Sequence, residues 1–281
     1  MTTRLITAIA AAALLLLGSA AAAGASEKPR YVNMGDSYSA GAGIAPFAPG
    51  GPPQCSRSAA NWAHDIARDR GYRLVDVSCS GAKTKDFATS QRDGVAPQLD
   101  ALGPDTDLVT MTIGGNDNDV YADAYGGCAK IGLTTGGRGN PCEQRFGTRF
   151  VDAVNDVSHP DIVEALQAVR AKAPNARVAV SGYLQILPPD RGCFPVVPVA
   201  AGDIAYLNRV QVAFNDAVRR AAEATGVTYL DVTGLSAGHD ACRAPGVRWV
   251  EPLVPINAAP AHPNARGERA MADNAIALLG L

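Results

Sequence analysis

Beyond residue 25 no stretch of this sequence is apolar enough to cross a bilayer, which excludes a membrane-spanning protein for that part of the chain. Charge is scarce as well. Only 19% of the residues are charged and the net charge is −2, so no basic surface for nucleic acid or an anionic membrane is indicated. No two cysteines stand in CxxC spacing, which removes the usual zinc pattern. There is no internal repeat and no linker-like change in composition. The 281 residues therefore read as one domain, expected to be a monomer. Histidine is rare, limited to His64, His159, His239 and His262.

What is present begins with a leader-like segment. Arg4 precedes an apolar run from Leu5 to Leu17, and Ala23-Gly24-Ala25 fits a small-residue cleavage site. The expectation is a signal peptide over residues 1–25, a mature chain starting at Ser26, and export from the cell. Export changes how the six cysteines read. An even number in an exported chain points to disulfides, and pairing in sequence order is expected: Cys55–Cys79, Cys128–Cys142 and Cys193–Cys242. Each bridge would staple one excursion between core elements.

Five short apolar runs read as buried strands: Tyr31–Met34, Leu74–Val77, Leu108–Ile113, Arg177–Ser181 and Val227–Val232. Between them lie segments of helical spacing, marked by Trp62 and Ile66, by Ile162 to Val169, and by Ile204 to Val218. Met271, Ile276 and Leu279 mark a last helix after the fifth strand. Gly71 and Gly226 are natural stops, and Asp203 and Asn264 natural caps. Strands alternating with helices imply an α/β fold with a parallel sheet covered on both faces, whose ligand site lies beyond the carboxyl ends of the strands. Segments 114–150 and 183–202, rich in Gly and Pro, read as long surface loops.

Four short motifs fall where that rule places a site. Gly35-Asp36-Ser37 follows the first strand, Gly81 the second, Gly114-Gly115-Asn116-Asp117 the third, and His262-Pro263-Asn264 opens the last helix. Taken singly they are an N-cap serine, two turns and a surface histidine. Taken together they bring a nucleophile, a base and oxyanion donors to one rim, which is what acyl transfer requires.

These blocks resemble the SGNH, or GDSL, hydrolase superfamily, in which Ser, Gly, Asn and His occur in this order. The match runs from about Tyr31 to the C-terminus. Gly238-His239-Asp240-Ala241-Cys242, Trp249-Val250 and the six cysteines are similar to those of secreted actinobacterial lipases and esterases. The resemblance implies a three-layer α/β/α sandwich on a flavodoxin-like five-stranded sheet, and ester hydrolysis without a metal or organic cofactor. It assigns Ser37 as nucleophile, His262 as base, and Ser37, Gly81 and Asn116 as oxyanion donors. The sequence departs from the pattern at one point. Where many members carry Asp, three residues before the histidine, this chain has Ala259. The expectation is that the main-chain carbonyl of Ala259 orients His262, with Glu251, Glu268 and Asp240 as alternative acids. Ile44 to Phe47, together with Ile186, Leu187, Phe194, Val196 and Val197, are expected to form an acyl groove. Lipase or esterase action on a lipid or other ester is favoured over deacetylation of a polysaccharide. Non-catalytic glycan binding on the same fold is the more distant alternative.

Overall fold

The computed structural model describes residues 27–281, so the expected leader lies outside the described residues. Its centre is a five-stranded, wholly parallel sheet in the order β2-β1-β3-β4-β5. The strands are β1 (Arg30–Gly35), β2 (Arg73–Asp76), β3 (Leu108–Thr112), β4 (Arg177–Ser181) and β5 (Thr228–Leu230). They match the five apolar runs to within about two residues, because a parallel sheet covered on both faces demands continuous apolar sequence. Tyr31, Val32, Met34, Val109, Met111, Ala179 and Val180 are completely buried.

The α-helices among the described residues are α1 (Ser37–Ala40), α2 (Trp62–Arg70), α3 (Gly127–Thr134), α4 (Pro141–Phe146), α5 (Arg149–Ala153), α6 (His159–Lys172), α7 (Ile204–Thr225) and α8 (Ala265–Leu279). Helix α2 packs on α8, and α6 on α7, giving the three layers. Gly71 and Gly226 end α2 and α7 in left-handed conformation, and the Asn264 side chain caps α8 by accepting from the Arg266 and Gly267 amides. The cysteines are joined in sequence order, Cys55–Cys79, Cys128–Cys142 and Cys193–Cys242.

Three expectations need correction. Segment 114–150 is not a surface loop. It holds α3, α4 and the start of α5, and Tyr125, Cys128, Cys142 and Phe150 are buried. Its glycines hide a helical face formed by Val120, Ala124 and Cys128 at intervals of four. Segment 183–202 is irregular but largely internal, with Tyr183, Leu184, Ile186, Leu187, Val197 and Val199 buried. Asp203 also caps differently from expectation. Its carboxylate accepts from the Cys142 and Glu143 amides at 3.0 and 2.9 Å, closing the start of α4 and leaving α7 without a side-chain cap.

The winding of the sheet reverses between β1 and β3, since β2 lies on one side of β1 while β3, β4 and β5 extend on the other. A crevice opens beyond the carboxyl ends at such a switch. Ser37 follows β1 and Gly115-Asn116 follows β3, so two of the motifs flank it.

Candidate active site

The nucleophile candidate is fixed by sheet geometry. Gly35 ends β1 at φ +105°, where a Cβ would collide with the Thr112 carbonyl, so no other residue fits without displacing the strands. Both main-chain groups of Gly35 are held by the buried Gln98 amide, and the Asp36 N–H donates to Thr112 O at 3.0 Å. Asp36 is buried and caps α1, accepting from the Tyr38 amide (3.0 Å), the Thr112 hydroxyl (2.7 Å) and the Tyr183 hydroxyl. Burial pushes its carboxyl up to about 6, although these donors act in the opposite direction.

Ser37 is 8% exposed and its Oγ lies 2.7 Å from His262 Nε2. The other ring nitrogen, Nδ1, lies 2.7 Å from the carbonyl oxygen of Pro260. With that carbonyl as acceptor, Nδ1 carries the proton and Nε2 faces the serine as an acceptor. Burial lowers the imidazole pKa, and the Pro260 carbonyl partly offsets this. The ring is thus neutral at neutral pH and free to take a proton.

The carbonyl that meets Nδ1 is that of Pro260 and not the expected one of Ala259. The Ala259 carbonyl accepts the His262 main-chain N–H at 3.2 Å, closing a four-residue turn. With Pro second and Ala261 third at φ +59°, the turn has type II character. In such a turn the middle peptide is rotated away from the closing bond, which leaves the Pro260 carbonyl for the ring. None of the three candidate acids bonds to His262 through its side chain. Glu251 pairs with Arg248 and Asn264, Glu268 accepts from the Trp62 amide, and Asp240 holds Cys242 N–H and Arg243.

Asn116 lines the same pocket as Ser37 and His262. Its Nδ2 donates to Ala82 O at 3.0 Å, tying the third block to the second. Gly81, at φ +80°, is exposed, with nothing closer to a Cβ position than Gln91 Nε2 at 3.5 Å. Gly81 does not line the cavity itself. The next residue's carbonyl holds the Asn116 amide, so the two stand side by side.

The pocket encloses about 340 Å³. Its walls are chiefly Tyr38, Tyr121, Tyr125, Ile186, Leu253 and Ala261. Of the expected groove residues only Ile186 lines it. Leu187 is buried in the core, Phe194 and Val196 face outward, and Ile44 lines a separate depression. Val197 lies behind Ile186, in a small void that also touches Tyr125 and Leu253. A larger cavity of about 420 Å³ lies on the far side of Tyr183. It contains no nucleophile–base pair, and its buried Gln211 and Asn215 amides are bonded to the main chain of Tyr183, Leu184 and Ile186.

Residues 34–270 match the model of the GDSL-like lipase/acylhydrolase family. The chain belongs to that family. Among its relatives, Lipase 2 of Streptomyces coelicolor is 54% identical over 254 residues, covering 89% of this chain and 86% of that protein. Lipase from Streptomyces rimosus is 30% identical over 243 residues, 85% of this chain and 82% of its own. Phospholipase A1 from Streptomyces albidoflavus superposes with a TM-score of 0.74 at 27% identity, covering 89% of this chain and 99% of that one. This GDSL-like family member is a carboxylic ester hydrolase with the three-layer fold that the sequence implied.

The structure brings Ser37, Asn116 and His262 of this GDSL-like hydrolase to one pocket, and Gly81 is tied to it only through Ala82, whose carbonyl accepts from Asn116. Sequence reasoning missed the Pro260 carbonyl and the aromatic wall. The wall had a readable signal, since Tyr121 and Tyr125 stand four apart on the concealed helical face. The Pro260 carbonyl had none beyond the Pro-Ala pair within the turn.

Proposed function

We propose that this hydrolase cleaves acyl esters through a covalent acyl-enzyme formed on Ser37. The 2.7 Å approach of Ser37 Oγ to His262 Nε2 carries the reading. The Oγ attacks the ester carbonyl carbon while His262 takes its proton. The tetrahedral intermediate collapses, its bond to the leaving alcohol breaks, and His262 returns the proton to that alcohol. Water then attacks the acyl carbonyl, losing a proton to His262, and the acid departs as Ser37 is restored. The main-chain N–H groups of Ser37 and Gly81 and the Asn116 amide hold the oxyanion. The Pro260 carbonyl keeps the imidazole in one tautomer and orientation, the geometric part of a triad acid's role. The route draws on protein groups alone.

The pocket favours an acyl lipid over an acetylated polysaccharide. Its walls are aromatic and aliphatic, suited to an alkyl chain, with the polar groups gathered at Ser37 and Asn116. The relatives' names agree: two are lipases and one is a phospholipase A1. Export after removal of residues 1–25 is supported by the three disulfides and by the extracellular lipase of Streptomyces rimosus, which superposes with a TM-score of 0.73 at 26% identity. A monomeric enzyme is the simplest form for a pocket built from one chain.

The decisive test is Ser37→Ala, assayed on a short nitrophenyl ester with circular dichroism as the folding control. Hydrolysis should vanish while the fold persists. A folded variant that keeps more than a few per cent of the rate would reject the nucleophile. A chain-length series of esters, run beside acetylated xylan and a phospholipid, then defines the substrate class.

A further inference from the structure

The His262 turn carries an unusual residue. Ala261, directly before the histidine, sits at φ +59°, a left-handed conformation that a Cβ disfavours and that the third position of such a turn normally assigns to glycine. Something must hold it there, because relaxing Ala261 would rotate the adjoining peptide and swing the Pro260 carbonyl off Nδ1. The amide side is secured, since Ala261 N–H donates to Glu251 O at 3.0 Å. The carbonyl side is secured by the residue that follows the nucleophile. Tyr38 Oη donates to Ala261 O at 2.6 Å. Tyr38 is itself immobile, 5% exposed, with its ring against Tyr183 (centroids 4.8 Å) and against His262 (5.0 Å).

We propose that the Tyr38 hydroxyl is a positioning group for His262, holding Ala261 left-handed so that the Pro260 carbonyl stays on the ring. The inference rests on the reading of Ser37 and His262 as nucleophile and base. A side chain rooted beside Ser37 thereby fixes the turn that carries His262. The two halves of the pair are registered against each other by one bond, in a chain that lacks the usual acid. The Tyr38 ring makes the contacts of any core aromatic, but the hydroxyl acts on the turn alone.

The test uses Tyr38→Phe, Ala261→Gly and the double variant, with kcat and KM measured on one nitrophenyl ester and each protein shown folded by circular dichroism. Phenylalanine keeps the packing and removes only the hydroxyl. Its kcat should fall on the order of tenfold, less than removing a triad acid, because the carbonyl is displaced and not deleted. KM should stay within about twofold, since the loss lies in the chemical step. Ala261→Gly alone, which also trims the pocket wall, supplies the baseline against which the double variant is read. In the double variant glycine adopts the left-handed conformation without help, so most of the lost kcat should return. A purely structural role for Tyr38 predicts no such rescue. Wild-type kcat in Tyr38→Phe would overturn the proposal, as would a double variant no faster than Tyr38→Phe. Ser37→Ala, measured alongside, separates this failure from that of the underlying reading: if Ser37→Ala stays active, both fall, whereas an inactive Ser37→Ala beside an unimpaired Tyr38→Phe rejects the positioning role alone.

Discussion

Ser37 and His262 meet at 2.7 Å, yet the two sides of the site are built on different principles. The nucleophile side is an extension of the sheet. Gly35 pairs with Thr112, Asp36 N–H bonds Thr112 O, and Cys79 N–H bonds Gly35 O, so the register of β1, β2 and β3 places Ser37. The base side has no regular structure between Glu251 and Asn264. There a buried polar cluster takes the place of register. Glu251 exchanges main-chain bonds with His262 and Ala261, while its carboxylate accepts from Arg248, Asn264 and the Ile256 amide. Asn264, tied to the cluster, also starts α8. One side is therefore specified chiefly by backbone pairing. The other is specified by charge and amide chemistry, so it responds to single substitutions and to pH.

The largest effect that sharpens this contrast is expected on the nucleophile side, where a side chain reaches the reacting atoms. Asn116→Ala should lower kcat by about 10²–10³ with KM little changed, the usual cost of one oxyanion donor. The fold should survive, because Asn116 contributes a single side-chain bond, to Ala82 O. Steady-state kinetics decide it. A loss confined to KM would make Asn116 a substrate-binding residue instead.

The same contrast explains what was legible in the sequence. The strands, the four motifs, the cysteine pairing and the cap at Asn264 could all be read, because apolar runs, turn glycines and cap residues act locally. Ser37 and Asn116 could be placed because they directly follow strands, and a parallel sheet fixes where strand ends point. The partner of His262 Nδ1 could not. Whether the Ala259 or the Pro260 carbonyl faces the ring depends on the rotation of one peptide, set by Tyr38 from 223 residues away. Tyr121 and Tyr125 were obscured because tertiary packing made a helix of a glycine-rich stretch whose local propensity argues for loop.

A middle-sized effect is expected from breaking the base-side cluster. Burial by itself would push the Glu251 carboxyl up, but the Arg248 guanidinium, the Asn264 amide and the Ile256 N–H outweigh it and hold the group at about 2. A depressed carboxyl contributes stability above its ordinary 4.5, and that contribution is lost as pH falls toward 2. Glu251→Gln leaves Arg248 buried without its anion and should cost about 3 kcal/mol at pH 7. The gap to wild type should narrow in acid, as seen by denaturant titration at pH 7 and pH 3. Because Glu251 does not touch the ring, kcat should fall no more than about tenfold, against the order of 10⁴ for a true triad acid. A drop of the larger size in folded protein would return the hidden-acid reading.

The smallest effect, opposite in sign, is expected at the other buried glutamate. Glu268 is fully buried between α2 and α8. Its Oε2 accepts from Trp62 N–H at 2.9 Å and its Oε1 has no partner. Burial drives its carboxyl well above the ordinary range. Nearby Asp65, Asp76 and Asp36 push the same way, against the Trp62 amide. A raised carboxyl binds its proton in the folded state, so its contribution is present below its ordinary 4.5 and is lost as pH climbs through the raised value. Glu268→Gln fixes the neutral form. The variant should therefore equal or exceed wild type at pH 8, by on the order of 1 kcal/mol, and the two should converge near pH 5. Activity should not change, since no bond links Glu268 to His262 or Ser37. Thermal midpoints at the two pH values, with kcat at pH 8, provide the check. Lower stability at pH 8 than at pH 5, relative to wild type, would mean that Glu268 is held ionised and stabilising. The two buried glutamates would then be alike, and charge on a buried carboxylate would no longer distinguish the cluster around Glu251 from the packing of α8.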